Sequence, residues 1–216
     1  MSIYALKPRF QALLRPLVRG LHRLGTTANQ ITLFACVLSV ALGVWLYLCA
    51  PSTTAFLLLP LWLFLRMALN AIDGMLAREF GQQSRLGAYL NELTDVIADA
   101  ALVLPFASVA VGVGNALPFD PVWVATLAVL AGLSEFAGAL GPTVGGTRRY
   151  DGPMGKSDRA FVLGALALWI GLAGALPDWA RWVFPVLCAL TAWTVMRRVR
   201  AGLREAAAGS AGSDPR

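Results

Sequence analysis

Residues 70–99 hold the side chains whose types and spacing could do chemistry. Asn70 and Asp73 stand three apart and are followed by Gly74, Ala77 and Arg78; after eight more residues come Gly87, Asn91, Asp95 and Asp99, each four beyond the last, with Glu92 beside them. Residues three or four apart share a helix face, so Asn70 with Asp73, and Asn91 with Asp95 and Asp99, form two polar stripes. Oxygen ligands grouped this way suit a hard divalent cation, since Mg²⁺ is usually held by a few carboxylates together with substrate phosphates. Gly74, Ala77 and Gly87 allow a helix or a ligand to come close. A polar seam that only joins helices is the structural alternative. The stripes crowd towards one membrane face, which a seam does not require.

The elements that must position these stripes are membrane helices. The chain has 216 residues, 57% of them hydrophobic and 14% charged, against about 25% charged in soluble domains. Six apolar runs, 31–50, 54–76, 86–113, 122–140, 161–176 and 179–196, approach the roughly 20 residues that cross a bilayer as a helix. The expected fold class is an all-α integral membrane protein with six transmembrane helices and an N-terminal amphipathic surface helix. Connections around Pro51 and over 114–121 lack Lys and Arg, and the one at Pro177 is followed only by Arg181. The opposite connections hold Arg78 and Arg85, then Arg148, Arg149, Lys156 and Arg159, then Arg197, Arg198, Arg200 and Arg204. The positive-inside rule places this basic side, with both termini, in the cytoplasm. The last four arginines read as topology and headgroup charges. Residues 1–25 gather leucines on one side and basic residues on the other, as in a helix lying on anionic lipid, with Pro8 and Pro16 as candidate breaks. Residues 26–205 form one helical membrane domain, and the Ala-, Gly- and Ser-rich stretch 206–216 reads as a disordered tail.

Several functions are excluded by the same reading. The net charge of +6 lies in short loops flanking apolar runs, so no nucleic acid partner is expected. Cys36, Cys49 and Cys188 sit inside apolar runs without metal-ligand spacing and read as packing residues. The single histidine, His22, lies in the surface segment as a solvated or headgroup-facing side chain, which removes a Ser/His/Asp mechanism. About thirty residues precede the first apolar run, and Leu46-Tyr47-Leu48 before Cys49 is a poor processing site, so no cleaved signal peptide is expected.

Asp73-Gly74-x-x-Ala77-Arg78, eight residues, Gly87, three residues, Asn91, three residues, Asp95 resembles the signature of the CDP-alcohol phosphatidyltransferases. The entry to the first span, Thr27-Ala28-Asn29-Gln30-Ile31-Thr32, and the six-span layout with its surface helix extend the resemblance over most of the chain. It implies that the motif positions Asn70, Asp73, Asn91 and Asp95 hold Mg²⁺ or Mn²⁺ against the diphosphate of a CDP-linked lipid. It implies that Asp73, Gly74, Ala77, Arg78, Gly87 and Asn29 receive the cytidine nucleotide, and that Asp95 helps deprotonate the attacking hydroxyl. Attack at the lipid-bearing phosphorus expels CMP and leaves a phosphodiester, a chemistry of positioning and charge neutralisation. A homodimer in a bacterial inner membrane, with its active site facing the cytoplasm and membrane lipids around it, completes the expectation.

The family signature has aspartate where this chain has Asn70 and Asn91. An amide oxygen can ligate a cation but brings no charge. Three readings compete: turnover with neutral ligands, where Glu92 or Asp99 restores charge; a single retained metal, where Arg66 offsets charge; or donor binding without turnover. Arg66 lies about two turns from Asp73 on the same face at roughly 1.5 Å per residue, and an isolated arginine there is costly. It is therefore expected to pair with Asp99, Glu135 or both. In the glycine-rich loop over 145–159, Arg149 and Lys156 are candidates for an acceptor phosphate or the lipid phosphate. The function expected is transfer of a phosphatidyl-type group from a CDP-linked lipid to an alcohol. The alternatives are a silent CDP-lipid-binding subunit or a small transporter, though no inverted repeat supports the latter.

Overall fold

A computed structural model describes residues 6–49, 53–112 and 117–211, and these are almost wholly helical. Helix α1 (Leu6–Arg23) runs unbroken with Pro16 inside it. The expected break at Pro8 does not occur because the first turn needs no amide donors there. The helix lies on α3 (Leu58–Glu79): Val18 is fully buried, and Arg15 pairs with Glu79 at 2.9 Å. Leu13 and Leu17 remain exposed.

Helix α2 (Ala28–Leu48) starts at a reciprocal cap, in which the Gln30 amide donates to Thr27 Oγ1 at 3.3 Å and the Thr27 amide donates to Gln30 Oε1 at 2.9 Å. Such a box satisfies amides that a helix end leaves without partners. Helix α4 (Arg85–Val103) is capped by Ser84, whose hydroxyl accepts from the Gly87 amide at 2.9 Å. Helices α5 (Pro121–Ala139), α6 (Lys156–Ala173) and α7 (Val183–Ala211) complete the bundle. Helix α2 packs on α3 and α4, α4 on α5, α5 on α7, and α6 on α3.

Among the described residues four helical stretches are long and apolar enough to cross a membrane: Ala28–Leu48, Thr53–Glu79, Pro121–Ala139 and Asp178–Ala208. Helices α4 and α6 occupy the other two expected spans but carry the charges of the polar site, Glu92, Asp95 and Asp99 in one and Lys156, Asp158 and Arg159 in the other. The third span also ends earlier than residue 113. Its α-helix stops at Val103 and passes through a tight turn at Leu104–Ser108, because Pro105 cannot donate to a continuing ladder. A short antiparallel ribbon follows, β1 (Ala110–Val111) paired with β2 (Leu117–Pro118). At the other end of the chain α7 continues to Ala211, so helix replaces the first part of the expected disordered tail. Residues 212–216, and the connections expected at Pro51 and Gly114, lie outside the described residues.

At the end of α3 away from Asp73, Phe56, Phe106, Phe184 and Phe119 form a fully buried chain of rings with centroids 4.9–5.7 Å apart. The backbones of α2 and α4 approach closely: a Cβ on Gly43 would fall 2.1 Å from the Ala101 carbonyl oxygen. The helices must part to admit one methyl group, at about 1–3 kcal/mol for such overpacking. Gly43→Ala is therefore expected to lower the melting temperature in detergent. Gly20→Ala, where nothing lies within 4 Å, should leave it unchanged or slightly raised.

Candidate functional site

The site begins where the turn between α3 and α4 grips the start of α2. Gln82 Oε1 accepts from the Ala28 amide at 2.7 Å, and its Nε2 donates to the Thr26 carbonyl at 3.4 Å. This brings Asn29 and Thr32 of the first α2 turns against the polar stripes. Thr32 Oγ1 stands 2.9 Å from Asp73 Oδ2 and 3.0 Å from the Ala28 carbonyl oxygen, sharing one proton between them. Asp73 is only 7% exposed. A Cβ on Gly87 would fall 2.8 Å from Asn29 Oδ1, and one on Gly74 would fall 2.7 Å from Arg78 Nη2. Both glycines thus leave space that a neighbouring polar side chain occupies.

Across from Asp73, Asp95 carries a cation on each oxygen: Arg66 Nη2 lies 3.2 Å from Oδ1 and Lys156 Nζ lies 2.5 Å from Oδ2. Asp73, Asp95 and Lys156 are within electrostatic reach of one another. Deeper in the bundle the charges form a ladder. Arg66 Nη1 holds Asp99 Oδ1 at 2.5 Å, Arg159 Nη2 joins Asp99 Oδ2 at 3.3 Å to Glu135 Oε1 at 3.2 Å, and Arg198 Nη1 reaches Glu135 at 3.5 Å. Arg159 also donates to Ser134 Oγ at 3.0 Å and to the Met154 carbonyl at 3.1 Å. Arg198 donates to the carbonyls of Ser134 and Asp151. Arg66, Arg159 and Arg198 are all buried.

The structure brings Asp73, Asp95, Lys156, Asn29 and Gly87 to one end of the bundle, with Asn70 and Asn91 half-buried on the same stripes. Glu92 is taken by Arg148 in a two-pronged pair, and Asp99 by Arg66 and Arg159. Arg149 is turned to Asp151 and Glu205, tying the glycine-rich loop to α7. Its guanidinium holds the Asp151 carboxyl below the usual carboxylate range. Arg66 pairs with Asp99, one of the two partners expected for it; Glu135, the other, serves Arg159 and Arg198. Arg198 is thus an internal ion partner and not a headgroup contact. Its signal was the buried series Thr191, Thr194 and Arg198 at helical spacing.

Among the described residues no three His, Cys, Asp or Glu side chains converge as one metal-binding group. A hard cation at this end of the bundle would have the carboxylates of Asp73 and Asp95 and the amides of Asn70 and Asn91 on the same stripes to draw on, its shell completed by substrate oxygens. Breaking a buried ion pair from one side costs about 3–5 kcal/mol because the partner stays desolvated. Arg66→Ala should therefore markedly lower the melting temperature in detergent. The double substitution Arg66→Ala/Asp99→Ala should cost less than the two single changes summed, the coupling expected of contacting residues.

The model of the CDP-alcohol phosphatidyltransferase family matches residues 25–193. Inner membrane protein YnbA of Escherichia coli (strain K12) is 47% identical over 94% of this chain and 97% of its own. An archaetidylinositol phosphate synthase of Pyrococcus horikoshii is 28% identical over 47% of this chain and 52% of its own. In fold, the chain is similar to the crystal structure of Mycobacterium tuberculosis phosphatidylinositol phosphate synthase in complex with manganese and citrate, with a TM-score of 0.70 at 20% identity over 87% of this chain and 88% of that one. The same enzyme with CDP-DAG bound gives a TM-score of 0.68 at 21% identity, over 87% of this chain and 92% of that one. With its family signature spread over α3 and α4 and the family match spanning all but the chain ends, this membrane protein belongs to the CDP-alcohol phosphatidyltransferase family of enzymes.

Proposed function

We propose that the chain transfers a phosphatidyl-type group from a CDP-linked lipid to an alcohol acceptor, releasing CMP, on the cytoplasmic face of a bacterial inner membrane. The observation that carries this reading is the family signature laid over α3 and α4, with its Asp73 buried against Thr32 of α2 and its Asp95 paired with Lys156 at the start of α6. In this arrangement α4 and α6 complete six membrane crossings, and α1 lies at the membrane surface. The manganese and CDP-DAG complexes of the structurally similar enzyme support the donor and metal classes.

A divalent ion, Mg²⁺ or Mn²⁺, held by Asp73 and Asp95 with the Asn70 and Asn91 carboxamides, would supply charge neutralisation at the donor diphosphate. The chain's own groups do the rest. Asn29 and Arg78, seated over Gly87 and Gly74, orient the nucleotide. Lys156, a mobile point charge, exchanges Asp95 for a diphosphate oxygen and so frees Oδ2 of that carboxylate, while Arg66 stays on Oδ1. The acceptor oxygen then bonds to the lipid-bearing phosphorus, the bond from that phosphorus to CMP breaks, and the hydroxyl proton passes to Asp95. General-base assistance is typically worth about 10²–10⁴-fold.

Asp95→Asn is therefore expected to reduce CMP release at least about a hundredfold, while CDP-diacylglycerol still raises the melting temperature. One observation favours a second reading, a silent donor-binding subunit: both Asp95 oxygens carry cations. Stabilisation of the wild-type chain by CDP-diacylglycerol, with no CMP released for any alcohol in Mg²⁺ or Mn²⁺, would select it.

A further inference from the structure

The cations of the polar interior are matched by the chain's own carboxylates. Arg66 faces Asp95 and Asp99, Arg159 faces Asp99 and Glu135, and Arg198 faces Glu135. The loop repeats the pattern, with Arg148 on Glu92 and Arg149 on Asp151 and Glu205. A phosphomonoester on an acceptor brings about −1.5 to −2 charge at neutral pH. It needs cations free to turn towards it. At Arg66, Arg159 or Arg198, all buried, it would have to displace a carboxylate and leave that group desolvated and unpaired, the costly half of a broken buried pair.

Space does not separate a phosphomonoester from its parent alcohol. The cleft beside Arg66, Asp99, Lys156 and Arg159 measures about 20 Å³, room for about one water. Arg197, Arg200 and Arg204 line a separate cleft with Asp151 and Trp193, which shares no residue with the first. Resting on the transferase function proposed above, we infer that the acceptor is an uncharged alcohol, free of phosphate, and that Glu135 enforces this by neutralising Arg159 and Arg198. An uncharged hydroxyl compound needs only hydrogen bonds and leaves every pair intact. A phosphorylated one competes with Asp99 and Glu135 for the same arginines.

The test pairs neutral alcohols with their own phosphomonoesters, such as glycerol with glycerol 3-phosphate and inositol with inositol phosphate. The full-length protein, CDP-diacylglycerol in mixed micelles and Mn²⁺ are used, and CMP release is measured. The neutral member of a productive pair is expected to exceed its phosphomonoester at least tenfold in kcat/KM, and Glu135→Gln is expected to shrink that ratio at least fivefold. A wild-type preference for the phosphomonoester would overturn the inference. A second arm needs no turnover: inorganic phosphate or glycerol 3-phosphate should leave the melting temperature unchanged, but raise it once Glu135→Gln is introduced. Both proteins carry Arg200→Ala and Arg204→Ala in this arm, so that the outer arginine cleft does not report. A rise without Glu135→Gln would overturn the inference even if no acceptor supported turnover. Failure of CDP-diacylglycerol either to stabilise the protein or to release CMP would instead overturn the transferase function, and this inference with it.

Discussion

The ion ladder from Arg66 through Asp99, Arg159 and Glu135 to Arg198 is the constraint on which the rest of the bundle depends. Its members come from α3, α4, α6, α5 and α7 in turn, so one chain of charges fastens five helices. In a membrane interior no water stands ready to solvate a charge that loses its partner. A slide of any one helix would break a rung and strand an ion on each side. Apolar packing among leucines tolerates such a slide far better, because lipid tails are as apolar as the residues they replace. The ladder therefore sets the relative register of these helices, and with it the positions of Asp95 and Lys156.

Helix α2 is held by different means. It contributes no rung, and instead meets α4 backbone to backbone at Gly43, meets α3 through the Trp62 Nε1 hydrogen bond to Ser39 Oγ at 3.0 Å, and meets Asp73 through Thr32. Contact through small residues and hydroxyls is specific in geometry without placing further charge in the bilayer. The consequence for the site is a division of labour between its walls. The side formed by α2 presents neutral groups, Asn29 and Thr32, while the side formed by α4 and α6 presents Asp95 and Lys156.

How much of this could be read from the sequence follows from the range of each interaction. The motif on α3 and α4 was legible because its residues are local, with positions set by helical periodicity. Asp99 as a candidate partner of Arg66 was legible too, since depth along two antiparallel helices can be counted from the connecting loop. Between Asp99 and Glu135 as partners of Arg66 the sequence leaves the choice open, because depth alone does not say which neighbour α5 faces, and that depends on its packing between α4 and α7. Arg198 was hidden by company: among Arg197, Arg200 and Arg204 it looks like one more headgroup charge, and only its alignment with the buried Thr191 and Thr194 separates it. The early end of α4 was written in Pro105, but an unbroken apolar run masked it.

Asp95 belongs to both the ladder and the site, and this makes the two inseparable. Arg66 approaches it through Oδ1 and through its own backbone carbonyl at 3.2 Å, while also gripping Asp99. A guanidinium engaged at several points and 5% exposed has nowhere to turn. Lys156 makes a single contact with Asp95, on a flexible stem whose side chain is 27% exposed. A lysine ammonium can rotate to a new acceptor without breaking a planar fork, which an arginine cannot do. An anionic group arriving beside Asp95 thus meets one fixed cation and one movable cation. Amides at Asn70 and Asn91 leave the stripes with less negative charge than carboxylates would, so the neighbouring cations already offset much of what remains. An anion that binds at this end of the bundle must first compete with Asp95 for Lys156, because the ladder gives nothing else that can move.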